Sequence, residues 1–243
     1  MIATERFAAH DGVRIRYLDN QPPEPAGQPV VFVPGIADFA DDYGAVFDRF
    51  GDRRLVVVEV RGRGGSDTPP SGYSAQDQAS DVDAVLAAIG IDAFHLMTFS
   101  RGTTAALDVA VARADQILTL SIGDYLPAEV ALPDGFTERM WGTTWRGRPI
   151  SCRLARHVLE GIQAASKSRE MWDQAALLGV PVLVARGSGG GVIDDQLEER
   201  YRRSVPGVEV VTIAGSGHDL FRPSRTAYPD AVLEFIGRRR PGS

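Results

Sequence analysis

The chain has 243 residues, 44% of them hydrophobic and 24% charged, which is enough to bury one core of ordinary size. A formal net charge of −6, with Lys and Arg scattered along the chain, leaves no basic stripe for nucleic acid. The one cysteine, Cys152, excludes an intrachain disulfide and a cysteine-based metal site.

No apolar run is long enough to span a bilayer. Met1-Ile-Ala-Thr-Glu-Arg6 shows no basic region followed by an apolar stretch, so no secretory signal is expected and a cytoplasmic protein is the default. The Arg238-Arg239-Arg240 run reads as a solvated tail. The expected partner is a small molecule, without nucleic acid or membrane, and a homodimer is left open.

Glu5–His10 and Val13–Leu18 alternate around Asp11-Gly12, the pattern of an antiparallel hairpin. After the Pro-rich 21–28 connector, Pro29–Val33 is short, β-branched and fully apolar, as strands inside a parallel sheet are, and Arg54–Glu59 reads as another buried strand. Tyr43–Phe50 and Ser74–Ile89 read as helices, the latter with Val82, Val85, Leu86 and Ile89 at helical spacing. Strands follow at Phe94–Phe99 and Ile117–Ile122. Residues 126–178 break the alternation and read as a small helical insertion, with a helical run over Cys152–Ile162. Val180–Ala185, Asp194–Ser204, Val208–Ile213 and Arg225–Ile236 then resume strand, helix, strand, helix. Strands alternating with helices after a hairpin imply a single α/β domain over 1–243, built on a doubly wound, mostly parallel sheet. In such folds ligands bind beyond the carboxyl ends of the strands.

The turns at strand ends carry the chemistry-bearing residues. Ser100 stands between a strand and a helix rich in small residues, in Thr98-Phe-Ser-Arg-Gly102. A serine on such a turn is lifted out of the sheet, above free N–H groups that can receive an oxyanion. The alternative is a plain helix N-cap. His218 lies in the Ala214-Gly-Ser-Gly-His218 loop after the last strand, whereas His10 is at a hairpin turn, His95 inside a strand and His157 in the insertion.

Four turns in order make the chain similar to the α/β-hydrolase family: Pro34-Gly35-Ile36, Arg61-Gly-x-Gly-x-Ser-Asp67, Thr98-x-Ser100-x-Gly102 and Gly217-His218. The resemblance covers nearly the whole chain. It departs at Thr98, where the family has Gly, and at Pro34, where it has His. It implies an α/β-hydrolase fold with a small helical lid over about 126–178 and no metal or organic cofactor. It also implies Ser100 as nucleophile, His218 as general base and acid, and backbone N–H groups of Ile36 and Arg101 as oxyanion hole.

The acid of the triad is ambiguous. The usual loop, Gly187–Gly191, has no carboxylate. Asp124, at the end of the preceding strand, is favoured over Asp194 and Asp195, which suit a helix start. The Arg101 guanidinium could meet a substrate anion, pair with Asp124 or another carboxylate, or sit exposed. Arg61–Asp67 reads as a structural turn bonded within itself. Phe136, Met140, Trp141 and Trp145 are expected either to wall a substrate pocket or to fill the lid. The resulting expectation is a serine hydrolase of a small or medium carboxylic ester, thioester or lactone, acting through an acyl-enzyme. A cofactor-free lyase, cyclase or C–C bond hydrolase on the same fold is the alternative, and a non-catalytic ligand-binding relative ranks last.

Overall fold

The computed structural model describes residues 3–239, so the N-terminal reading at Met1 and Ile2, and Arg240 of the basic run, lie outside the described residues. Strand β1 (Thr4–His10) and strand β2 (Val13–Asp19) form the expected hairpin. Its turn residues Asp11 and Gly12 have φ of 48° and 77°, the left-handed geometry for which Asp-Gly is suited. Six further strands complete the sheet: β3 (Val30–Val33), β4 (Leu55–Val58), β5 (Phe94–Phe99), β6 (Ile117–Gly123), β7 (Val182–Gly187) and β8 (Glu209–Ile213). Their spatial order is β1-β2-β4-β3-β5-β6-β7-β8, parallel from β4 onward. The helices are α1 (Gly44–Phe50), α2 (Ala75–Ile89), α3 (Gly102–Ala112), α4 (Phe136–Trp141), α5 (Arg156–Ala165), α6 (Trp172–Leu177), α7 (Asp195–Ser204) and α8 (Ala227–Gly237).

Side-chain alternation along each buried strand divides the apolar residues between two cores. Val31, Val33, Val56, Val58, Leu96, Leu120 and Val184 face one side, with Val82 and Val85 of α2 and Ala106 and Leu107 of α3. Val30, Phe32, Leu55, Val57, Met97, Phe99 and Leu183 face the other, with Val46 and Phe47 of α1 and Tyr228, Val232 and Phe235 of α8. Helix α2 starts where Ser74 accepts from the Asp77 N–H and stops at Gly90 in the left-handed conformation.

The segment between β6 and β7 is less helical than its sequence suggests. Besides α4, α5 and α6 it holds two short antiparallel ladders, Ala128–Glu129 with Arg169–Glu170 and Thr144–Trp145 with Arg148–Pro149. The helical run expected from Cys152 instead begins as a 3-10 turn over Ile150–Cys152, and α5 starts only at Arg156. Between them the Arg153 guanidinium reaches the Ala37 carbonyl and Asp42, which draws the chain down onto the main body. Ile150, Leu154, Val158, Leu159 and Ile162 pack with Ala37 and Tyr73 into a separate lid core. Met171, Trp172 and Ala175 belong to the main core instead, so the lid's own packing ends before α6.

Candidate active site

Ser100 sits at the sharp turn between β5 and α3 with φ of 52°, a conformation that costs a non-glycine residue about 1–3 kcal/mol. The turn has no room to relax. A Cβ on Gly102 would lie 2.1 Å from the Pro34 carbonyl oxygen, and the Ser100 N–H is tied to the Gly123 carbonyl at 2.8 Å. Thr98 fits where the family has glycine because its hydroxyl turns to the Thr103 hydroxyl at 2.8 Å and to the Ser121 carbonyl at 3.3 Å. Below them the buried Tyr228 hydroxyl donates to the Thr98 and Ser121 carbonyls, fastening the ends of β5 and β6 together.

The Ser100 Oγ lies 2.9 Å from His218 Nε2, and His218 Nδ1 lies 2.6 Å from Asp124 Oδ2. Three chain-distant turns therefore meet in one line. The imidazole is stacked on Phe99 at a centroid distance of 5.3 Å, which fixes its plane. Asp124 is fully buried at the end of β6, with φ of 42°. Its carboxylate also accepts from the Val192 N–H at 2.9 Å and the Ile193 N–H at 3.1 Å, so it does not fold back on its own turn. The glycine-rich stretch after β7 lacks an acid because it serves one. A Cβ on Gly191 would lie 2.3 Å from Asp124 Oδ2. Asp194 and Asp195 stay apart from the histidine: Asp194 caps α7 at the Leu197 N–H, and Asp195 pairs with Arg186 on the surface.

Ile36 and Arg101 both line the cavity at Ser100, and neither backbone N–H has an acceptor among the described residues. The cavity measures about 290 Å³ and is mainly apolar. Phe136, Met140 and Trp145 line it together with Ile150, Leu132 and Tyr125. Trp141 does not. Phe136 and Met140 are four residues apart on one face of α4, whereas Trp141 is rotated about 100° onward and lies against the lid core beside Arg156. The Arg101 guanidinium pairs with neither Asp124 nor any other carboxylate among the described residues; its Nη1 donates to the Val130 carbonyl at 2.9 Å. The Arg61–Asp67 turn is bonded within itself, Gly62 N–H to the Asp67 carbonyl at 2.9 Å and Arg63 Nη1 to the Arg61 carbonyl at 2.8 Å, and also outward. Arg61 grips Asp81 of α2, and Asp67 accepts from the Arg14 N–H of β2.

Two residues of the site are not among those the sequence singles out. Asp38 accepts the Gly35 N–H at 2.9 Å and the Trp145 indole N–H at 2.7 Å, joining the turn after β3 to the cavity wall. Arg146 is the second. Its side chain is 5% exposed and bridges Asp38 at 3.3 Å and Asp219 at 2.9 Å, over the rings of Tyr43 and Phe221. An acid three residues after a turn glycine is a pattern that could have pointed to Asp38. Arg146 is visible only once the lid is folded. Among the described residues no cluster of three or more His, Cys, Asp or Glu side chains is placed to hold a metal ion, and no helix is long and apolar enough to cross a membrane.

A model of the alpha/beta hydrolase family matches residues 30–235, which include every element that meets at Ser100. The chain belongs to the alpha/beta hydrolase family. It is 27% identical to the N-formylmaleamate deformylase of Pseudomonas putida, over 79% of this chain and 82% of that one. The esterase RhEst1 from Rhodococcus sp. superposes with a TM-score of 0.79 at 23% identity, over 98% of this hydrolase-family chain and 99% of that one. E-2-(acetamidomethylene)succinate hydrolase superposes with a TM-score of 0.76 at 18% identity, over 97% and 99% of the two chains.

Proposed function

We propose that this alpha/beta hydrolase is a serine hydrolase that cleaves a small or medium carboxylic ester, thioester or lactone through an acyl-enzyme. The observation that carries the reading is the line Ser100 Oγ, His218, Asp124, with contacts of 2.9 and 2.6 Å, at the mouth of an apolar cavity. A serine hydroxyl attacks a carbonyl only when a base takes its proton, and His218 Nε2 is within hydrogen-bond reach to do so. Asp124 holds the ring with its Nδ1–H toward the carboxylate and stabilises the imidazolium that forms. The Ile36 and Arg101 N–H groups receive the developing oxyanion. The imidazolium then protonates the leaving group, and a water activated by the same ring releases the acid from Ser100.

The cavity volume of about 290 Å³ is at the low end of ligand pockets, which supports a compact acyl group. The deformylase named among the relatives adds N-acyl amides to the substrates to be tried. The reading is tested with a fluorophosphonate probe and a panel of short-chain esters, thioesters, lactones and amides. Labelling and turnover are expected of the wild type and not of Ser100→Ala. Labelling with no turnover across the panel would move the reading to lyase, cyclase or C–C bond chemistry on the same site. No labelling at all, with ligand binding kept, would make the protein a binding relative.

A further inference from the structure

Arg63 is a cation placed where a neutral residue would be cheaper. It is 3% exposed, in the turn after β4, directly behind Ile36. Its three donor nitrogens all go to neutral acceptors: Nε to the Ile36 carbonyl at 3.3 Å, Nη1 to the Arg61 carbonyl at 2.8 Å and Nη2 to the Gln78 Oε1 at 2.9 Å. The carboxylate that acts on it, Asp81, is already gripped by Arg61 at 2.7 Å, and Arg63 itself makes no ion pair among the described residues. Burial, against the pull of Asp81, lowers its pKa to about 10, and the neighbouring charge of Arg101 adds to the lowering. It is nonetheless a cation at neutral pH.

A buried charge without a bound counter-charge is normally a liability. It is useful where negative charge appears transiently, because a low-dielectric interior transmits its field with little screening. The Ile36 turn is such a place. Asp38 holds the Gly35 N–H, Arg153 holds the Ala37 carbonyl, and Arg63 holds the Ile36 carbonyl that lies between them. These three bonds fix the peptide planes on both sides of the Ile36 N–H.

We propose that Arg63 is a positioning residue for the oxyanion hole, which orients the Ile36 turn and biases the site toward negative charge on the substrate oxygen. This rests on the serine hydrolase reading. It adds that part of the transition-state stabilisation comes from a guanidinium that never touches the substrate.

The test compares an ester with the thionoester of the same acyl group, since sulfur in place of the carbonyl oxygen is a poorer partner for oxyanion donors. Arg63→Met should lower kcat on the ester about 10- to 100-fold with KM within about twofold, the range expected for weakening one oxyanion donor. On the thionoester the loss should be several-fold smaller. Arg63→Lys, which keeps the charge, should restore part of the ester rate. Arg63→Gln, which keeps a neutral donor, is read in the same assays if the methionine variant does not fold. Unchanged ester rates, or equal losses on ester and thionoester, overturn the proposal while leaving the triad reading intact. A wild type inactive on both substrates fails the triad reading first and takes this proposal with it.

Discussion

Asp124 accepts three hydrogen bonds at once, from the His218 ring and from the Val192 and Ile193 N–H groups, with no solvent access. Asp124→Asn keeps the volume but offers the ring an amide, which favours the wrong tautomer. The expected loss in kcat is on the order of 10⁴-fold with a near wild-type circular dichroism spectrum. Activity within tenfold of wild type would contradict the proposed acid role of this residue. Gly191→Ala probes the same carboxylate from the other side, since its methyl would stand 2.3 Å from Oδ2. It should lower kcat at least tenfold while barely changing KM for a short ester, and steady-state kinetics on both variants checks the pair. The positions of Ser100 and His218 were legible in the sequence because both follow strand ends, which periodicity locates. Asp124 was legible only as one of three acids. What separates it from Asp194 and Asp195 is the pairing of β6 with β7, which places Asp124 under the Val192–Ile193 backbone.

At the scale of elements, the hairpin Thr144–Pro149 is held to the main body by two adjacent side chains, Trp145, whose indole N–H donates to Asp38 at 2.7 Å, and Arg146. Arg146 has φ of 48° and extends beneath the lid to Asp38 and to Asp219, the residue after His218. Breaking a buried pair leaves an uncompensated charge and costs about 3–5 kcal/mol. Arg146→Met should therefore lower the urea midpoint and expose residues 126–165 to limited proteolysis. Adding Asp38→Asn and Asp219→Asn to it should recover a large part of the loss, because the orphaned carboxylates are then gone. An unchanged proteolysis pattern in the single variant would show that Trp145 and the apolar contacts fix the hairpin without Arg146. The lid was the least legible part of the chain. Its short ladders are two residues long and its helices six to ten, too short for periodicity to set their limits. Its contacts are made by arginines at positions 146 and 153 that look like surface charge in a sequence.

For the whole molecule, the fold was readable because alternation inside β3, β4 and β5 is apolar on both faces, and a parallel sheet covered on both sides requires that pattern. The price of such a sheet is any polar group inside it. His95, in the middle of the run, bonds the Thr119 hydroxyl at 3.0 Å and has its pKa lowered to about 4 by burial and then by the charge of Arg53. An unfolded histidine titrates near 6.5, so between about pH 6.5 and 4 the unfolded chain binds a proton that the folded chain refuses. Stability is thus lost as pH falls through this window, by at most about 1.4 kcal/mol per pH unit from this residue. Urea unfolding across that window should show a shallower acid limb for His95→Gln than for wild type, and parallel limbs would remove His95 as a cause. The same sheet brings residues 36, 100, 124 and 218 to one edge, and the account stands on what the hydroxyl does there. Rapid mixing with a p-nitrophenyl ester, acid quench and peptide mass mapping tests this most directly. A burst of about one nitrophenolate per chain, with the acyl group found on Ser100, is the predicted result; turnover that persists in Ser100→Ala, with no acyl group on the serine of the wild type, would contradict it.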